Sequence, residues 1–261
     1  HLILALLFYT IRDKKKALLA YQKVIELSPR HLLAHFYLAS LLKEMGHFSQ
    51  AILSYQHSYK LARRLRDKRR CLKAMGTLSL QIKKTRQGLG FLQEFLKLSP
   101  NDGRAREEIA QALTRQGLYK EALVQWQQLL KQNKGSARKA RTHRNIGLLF
   151  EHIGQWRKSV ESYRTAMKYT LQSHWLRKEL NGRILQLHRE KGKLAEFVNY
   201  IQKKKRKTNN QLSMLARLLD ELGRDKEAQL AYRKALQANP SDSSLRQKYI
   251  TLLEIANQGQ V

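Results

Sequence analysis

The sequence predicts an all-α chain, an α-solenoid in which antiparallel helix pairs stack side by side. Three observations carry that expectation. The 261 residues include three prolines and thirteen glycines and are rich in Leu, Ala, Lys, Arg and Gln, a composition that favours helix. A block of fixed spacing recurs: "GHFSQAILSYQHSYKL" from Gly46, "GLYKEALVQWQQLLKQ" from Gly117, "GQWRKSVESYRTAMKY" from Gly154 and "GRDKEAQLAYRKALQA" from Gly223. Each has a small residue five places after the glycine, an aromatic nine after and a small or apolar residue twelve after. Finally, turn positions at 12, 46, 83, 117, 154, 192 and 223 follow one another at intervals of 34, 37, 34, 37, 38 and 31 residues.

Those offsets lie close to one helical face, with small residues where helices must approach, so each block reads as the second helix of a pair. The apolar runs "FYLASLLKEMG", "EEIAQALTRQG", "RNIGLLFEHIG" and "LARLLDELG" read as first helices, and the closing glycine lets the chain turn. In order, the pairs fall at 1–31, 32–66, 69–102, 103–137, 140–174, 178–208 and 209–242. A lone amphipathic helix, "SSLRQKYITLLEIA", follows over 243–257 as a cap. The first pair takes Arg12 at the turn position. The third takes Lys83 there, with Gly88 as its small residue and Leu92 for the aromatic. The sixth, around "REKGKLAEFVNYIQKKKRK", diverges most, with Phe197 at the small position. Pro29, Pro100 and Pro240 each stand twelve residues after the small position and close the first, third and seventh pairs. One pair cannot bury its apolar stripe, whereas stacked neighbours make a continuous core. The whole of 1–261 is expected to form one such stack. With no initiator Met and a first helix that opens partway, it is expected to be a piece of a longer chain.

A recurring period near 34, built of two amphipathic helices, resembles the tetratricopeptide repeat, in about seven tandem copies over nearly the whole chain. The prolines stand where that motif expects them. The resemblance implies a right-handed superhelix whose first helices line a concave groove. It also implies an interaction scaffold, or adaptor, holding a peptide or helical segment of another protein there. The groove positions are Phe36, Tyr37 and Ser40, then Lys73 and Thr77, Arg104 and Gln111, Arg144, Asn145 and Leu148, and lastly Arg183 and Arg217. Asn145 stands out, because in this family an Asn at that position bonds an extended peptide backbone, its amide supplying a donor and an acceptor. The family's clamp for chaperone tails is not present as a set: Lys73 is followed by Thr77, and Arg183 is preceded by Glu179.

The net charge of +31 predicts an anionic neighbour. The cations cluster between pairs. Lys60, Arg63, Arg64, Arg66, Lys68, Arg69 and Arg70 join the second pair to the third; Lys134, Arg138, Lys139 and Arg141 join the fourth to the fifth; Lys203, Lys204, Lys205, Arg206 and Lys207 join the sixth to the seventh. Such connections share one edge of a solenoid, so these long charged corners are expected to form a basic rim against an acidic region of a partner protein. RNA or another single-stranded nucleic acid on that rim is the alternative, weakened by the scarcity of aromatics there beyond Tyr59, Tyr169 and Trp175. An anionic membrane surface is a third reading. No apolar run reaches the roughly 20 residues of a membrane-spanning helix. A cytoplasmic site is the default expectation, and "KKKRK" matches a nuclear-import pattern that has meaning in a eukaryote.

No motif for catalysis, phosphate cradling or a cofactor is present, so neither an enzyme nor a cofactor is expected. The pair His31 and His35 lacks an evident third metal ligand, and no metal is expected. The single cysteine, Cys71, excludes an internal disulfide and is expected to be a small packing residue.

Overall fold

The structure, a computed structural model, describes residues 1–132, 134–171 and 174–258. Among them are fifteen α-helices and no strand. They come as α1 (Leu2–Thr10) with α2 (Lys14–Leu27), α3 (Leu32–Glu44) with α4 (Phe48–Leu61), α5 (Leu65–Gln81) with α6 (Thr85–Leu98), and α7 (Gly103–Arg115) with α8 (Tyr119–Gln132). Then follow α9 (Ser136–His152) with α10 (Trp156–Lys168), α11 (Trp175–Glu190) with α12 (Leu194–Gln202), α13 (Asn209–Glu221) with α14 (Asp225–Ala238), and the unpaired α15 (Ser243–Gln258). The chain gathers into two compact units, His1–Tyr169 and Thr170–Val261. Within each, every helix packs on the next in sequence, α1 to α10 in the first unit and α11 to α15 in the second. The architecture is the α-solenoid that the spacing predicts.

Each hairpin turns where the spacing marks it. Arg12, Gly46, Lys83, Gly117, Gly154, Gly192 and Gly223 have φ between 62° and 83°, and they are the left-handed residues among those described. One residue further on, an N–H reaches back five positions to close the helix end, as in Asp13 to Phe8, Lys84 to Ser79 and Lys193 to His188, at 2.7–3.0 Å. Glycine takes this conformation without a Cβ clash; Arg12 and Lys83 take it at a cost of about 1–2 kcal/mol each.

Two small positions per pair let the helices cross closely: one seven residues before the turn, one five after. Ala5 faces Ala17 in this scheme, Ala39 Ala51, Ala110 Ala122 and Ala216 Ala228, and all eight are fully buried. In the third pair both are glycines. A Cβ on Gly76 would meet Leu92 at 2.6 Å and the Gly88 carbonyl at 3.3 Å; one on Gly88 would meet Leu80 at 2.8 Å and the Gly76 carbonyl at 3.0 Å. In the fifth pair a Cβ on Gly147 would strike the Tyr163 ring. The sixth pair departs at both positions, with Leu185 and a buried Phe197. The residues nine after the turn, Tyr21, Tyr55, Leu92, Trp126, Tyr163, Ile201 and Tyr232, form the spine of the core, all buried. Three of their hydroxyls tie the second helix to the first: Tyr55 to Ser40 at 3.0 Å, Tyr163 to Glu151, and Tyr232 to Asp220 at 2.9 Å.

The three prolines build one recurrent corner. The residue before each (Ser28, Ser99, Asn239) is pushed out of the helical region, to φ near −145°. Two residues after each, His31, Asp102 and Asp242 accept a backbone N–H and cap the next helix. The proline carbonyl is then held by the side chain six residues on: His35 to Pro29 at 2.8 Å, Arg106 to Pro100 at 2.7 Å, Arg246 to Pro240 at 2.7 Å.

The charged corners correct the sequence reading. Residues 65–73 are not a loop; they are the first two turns of α5, and 136–144 are the first turns of α9. These helices run 17 residues against 13 in α3 and α7. Lys and Arg are good helix formers, and neither stretch holds a breaker after Gly135. The first connection shrinks to 62–64, and in the second the described residues ahead of α9 are 134 and 135. Between α12 and α13, residues 203–208 are a true corner. It is closed by a capping box in which Thr208 and Gln211 satisfy each other's backbone N–H.

Candidate functional site

The groove positions predicted in the first unit do not behave alike. Phe36, Tyr37 and Ser40 are half-buried on α3 and tied into packing. Phe36 meets Tyr37 and Tyr55 edge-on, Arg70 lies over its ring at 4.4 Å, and Ser40 bonds Tyr55. Lys73 is committed to Asp102 at 2.7 Å and lies over the Phe95 ring. Burial works to raise the Asp102 carboxyl's pKa, but the Lys73 and Ala105 hydrogen bonds outweigh it and hold the group below its usual value. Thr77 donates to Glu108 at 2.7 Å, and Arg104 is exposed on the first turn of α7.

Gln111, Asn145 and Leu148 do come together. With Thr114, Arg115 and Trp126 they line a pocket of about 320 Å³ between α7, α8 and α9. Trp126 forms its buried wall. Gln111 makes a long 3.4 Å bond to Glu107, while the Asn145 amide has no side-chain hydrogen bond among the described residues. Arg144, beside it on α9, is half-buried and outside the pocket lining.

In the second unit a larger cleft of about 1350 Å³ opens between α11, α12, α13 and the start of α15. Arg217 lines it, as its sequence position implies. Arg183 does not; it pairs with Glu179 at 3.5 Å. The α11 face turned to the cleft instead carries Lys178, Gly182, Leu185 and Arg189. Sequence reasoning missed Leu185 and Lys248, and it assigned Lys178 to the junction between the fifth and sixth repeats rather than to the groove. For Leu185 a signal existed, since it stands seven before Gly192, where every other pair has Ala or Gly.

The cations assigned to the rim divide. Lys60, Arg63, Arg64, Arg66, Arg70, Lys134, Arg138, Arg141, Lys203, Lys205 and Arg206 are exposed. Lys68, Arg69, Lys139, Lys204 and Lys207 are half-buried. Arg69 reaches Ser99, Lys139 lies over Tyr169, Lys204 over Tyr200, and Lys207 bonds the Lys204 carbonyl. The Tyr169 ring is covered by His143 as well, whose own pKa is pushed down by burial and by Lys139. Trp175 is open to solvent. Cys71 is fully buried with its thiol on Ser58, and burial pushes its pKa up. His31 caps α3 and His35 holds the Pro29 carbonyl.

Tetratricopeptide-repeat family models match residues 73–138 and 212–242. No curated protein matches the sequence. Among solved structures, YrrB, described as a TPR protein with an unusual peptide-binding site, aligns at 20% identity over 68% of this chain and 88% of its own, with a TM-score of 0.55. A tetratricopeptide repeat protein from Parabacteroides merdae aligns at 14% identity over 95% of this chain and 96% of its own, at 0.54. A chain of the Naa15/Naa10 complex bound to HypK aligns at 17% identity over 95% of this chain but 38% of its own, at 0.61. At these identities the likeness is one of fold.

Proposed function

The chain belongs to the tetratricopeptide-repeat proteins, and on that premise we propose that it is a non-enzymatic scaffold that holds a peptide segment of another protein in its groove, with its basic rim against an acidic region of that partner. The observation that carries this is Asn145, a donor and acceptor without a side-chain partner, set in a pocket walled by Trp126 and Leu148. A peptide backbone satisfies that amide while an apolar side chain covers the walls. YrrB, which shares the fold, is described as binding peptide, and this supports the same use.

The rim is supported by where its cations lie. Arg66 and Lys68 stand in the first turn of α5, and Arg138 and Lys139 in that of α9, where the helix dipole is positive. Each cation there is unfavourable for the helix itself, by about 0.3–1 kcal/mol, a cost that Asp67 beside Arg66 and the Tyr169 ring under Lys139 offset in part and a partner's carboxylates would offset further. A protein partner is preferred to RNA because the Tyr169 ring, over which Lys139 lies, is already covered on the protein.

The test selects peptides from a random library with the wild-type chain and titrates them by fluorescence anisotropy. Asn145→Ala should weaken binding about tenfold and leave the thermal midpoint unchanged. Reversing Arg66 and Arg138 to Glu should slow association and leave stability equal or higher, since acids suit a helix N-terminus. Unaltered affinity in Asn145→Ala, or saturable binding of homopolymeric RNA that the rim reversal abolishes, would overturn the proposal.

A further inference from the structure

We infer that the cleft of the sixth repeat is a docking site for an acidic amphipathic segment of a partner protein. This rests on the reading of the repeats as a protein-binding scaffold and adds where the partner docks and by what chemistry.

The cleft has a local cause. In six of the seven pairs, the two residues at the helix crossing are Ala, Gly or Ser; in the sixth they are Leu185 and Phe197. Phe197 is buried against His188, at 5.2 Å between ring centres. Two bulky side chains at one crossing hold α11 and α12 apart, because interiors close-pack and cannot absorb added volume. Both residues line the resulting space, about 1350 Å³ against about 320 Å³ at the pocket around Asn145. Leu185 and Met214, both half-buried, supply its accessible apolar surface, backed by the buried Phe197, Ile201 and Leu218.

Its charge is unbalanced. Six cations line it, Arg177, Lys178, Arg189, Lys204, Arg217 and Lys248, against three carboxylates, Asp220, Glu221 and Asp242. All three carboxylates are already engaged. Glu221 takes both arms of Arg189 at 2.8 and 3.0 Å, Asp220 accepts the Tyr232 hydroxyl, and Asp242 caps α15 at the Leu245 N–H. Lys178, Arg217 and Lys248 are exposed and have no ion-pair partner among the described residues; Arg217 makes a 3.4 Å contact to the Ser244 hydroxyl. An occupant must offer apolar side chains to the floor and carboxylates to these three. A nucleic acid fits less well. The fixed carboxylates repel phosphate, Phe197 is buried, and Lys204 already covers Tyr200 at 4.8 Å, which leaves the small His174 imidazole, tilted against Trp175, as the open ring of the lining.

The experiment uses the full chain and peptides selected from a random library by the wild type. Selected sequences should be rich in Asp and Glu interleaved with Leu, Ile or Phe. A class of them should lose at least about tenfold in affinity on Lys178→Glu with Lys248→Glu, and bind Asn145→Ala as they bind wild type. Because these lysines are exposed, circular dichroism should show both variants folded. Binding of that class should weaken as salt shortens the screening length from about 30 Å at 0.01 M to about 8 Å at 0.15 M. If every selected peptide is neutral or basic, or none responds to the lysine reversals, this inference is overturned. Loss on Asn145→Ala alone would then leave the proposed function standing, and no selected peptide at all would remove both.

Discussion

The third and sixth repeats are built to one plan and differ most at one point, the crossing of their two helices. In the third, Gly76 and Gly88 bring the backbones so close that a Cβ on either would strike the other's carbonyl region and a neighbouring leucine. In the sixth, Leu185 and Phe197 occupy the same two places and a cleft lies beside them. Turn geometry is the same in both, with Lys83 at φ 62° and Gly192 at φ 63°. Thus the period fixes where the chain reverses, while the volume of two side chains decides whether a repeat is closed core or open surface.

The largest test of that contrast moves the sixth crossing into the third. Gly76→Leu with Gly88→Phe should cost about 3 kcal/mol or more by overpacking, read by urea denaturation. In the reciprocal pair, Phe197→Ala at a buried ring should cost about 3–5 kcal/mol, and Leu185→Ala, half-buried at the cleft, should cost less. The double variant should lose less than their sum, because α11 and α12 can then close. Strict additivity would show that something else holds them apart.

A smaller effect separates the exits of the two repeats. Asp102, which caps α7 and pairs with Lys73, should cost about 1–2 kcal/mol as Asp102→Ala, and Thr208→Ala, a neutral cap, about 1 kcal/mol. Their pH dependence should differ as well. The Asp102 pKa is lowered on folding, so its contribution is complete above the unfolded value near 4 and is lost as pH falls through the folded one. Urea midpoints measured down to pH 3 should show Asp102→Ala approaching wild type while Thr208→Ala keeps its deficit. The smallest effect lies in the turns: Lys83→Gly should gain about 0.5–1 kcal/mol, and Gly192→Lys should lose a similar amount.

Turns and core were legible in the sequence because they rest on local geometry. A left-handed residue ends each first helix, and the spine residues recur nine places later whatever lies around them. Even Arg12 and Lys83 were placed by spacing alone. The start of α5 was not legible, since nothing between Arg63 and Lys73 distinguishes a charged loop from a charged helix except its neighbours in space. Half of the groove reading met the same limit. Asn145, Gln111 and Leu148 converge, whereas Lys73 and Thr77 are consumed by Asp102 and Glu108 across the next helix, a contact 29–31 residues away in sequence. Lys178 belongs to the sixth repeat and Lys248 to the unpaired α15, and nothing in one repeat's pattern announces a neighbour's cation.

The proline corners carry a consequence for how the chain assembles. In each, the carbonyl of Pro29, Pro100 or Pro240 is fastened by a side chain from the helix that comes after it. The end of one repeat is therefore secured by its successor, and hydrogen exchange at such a junction should report the opening of the following helix rather than of its own.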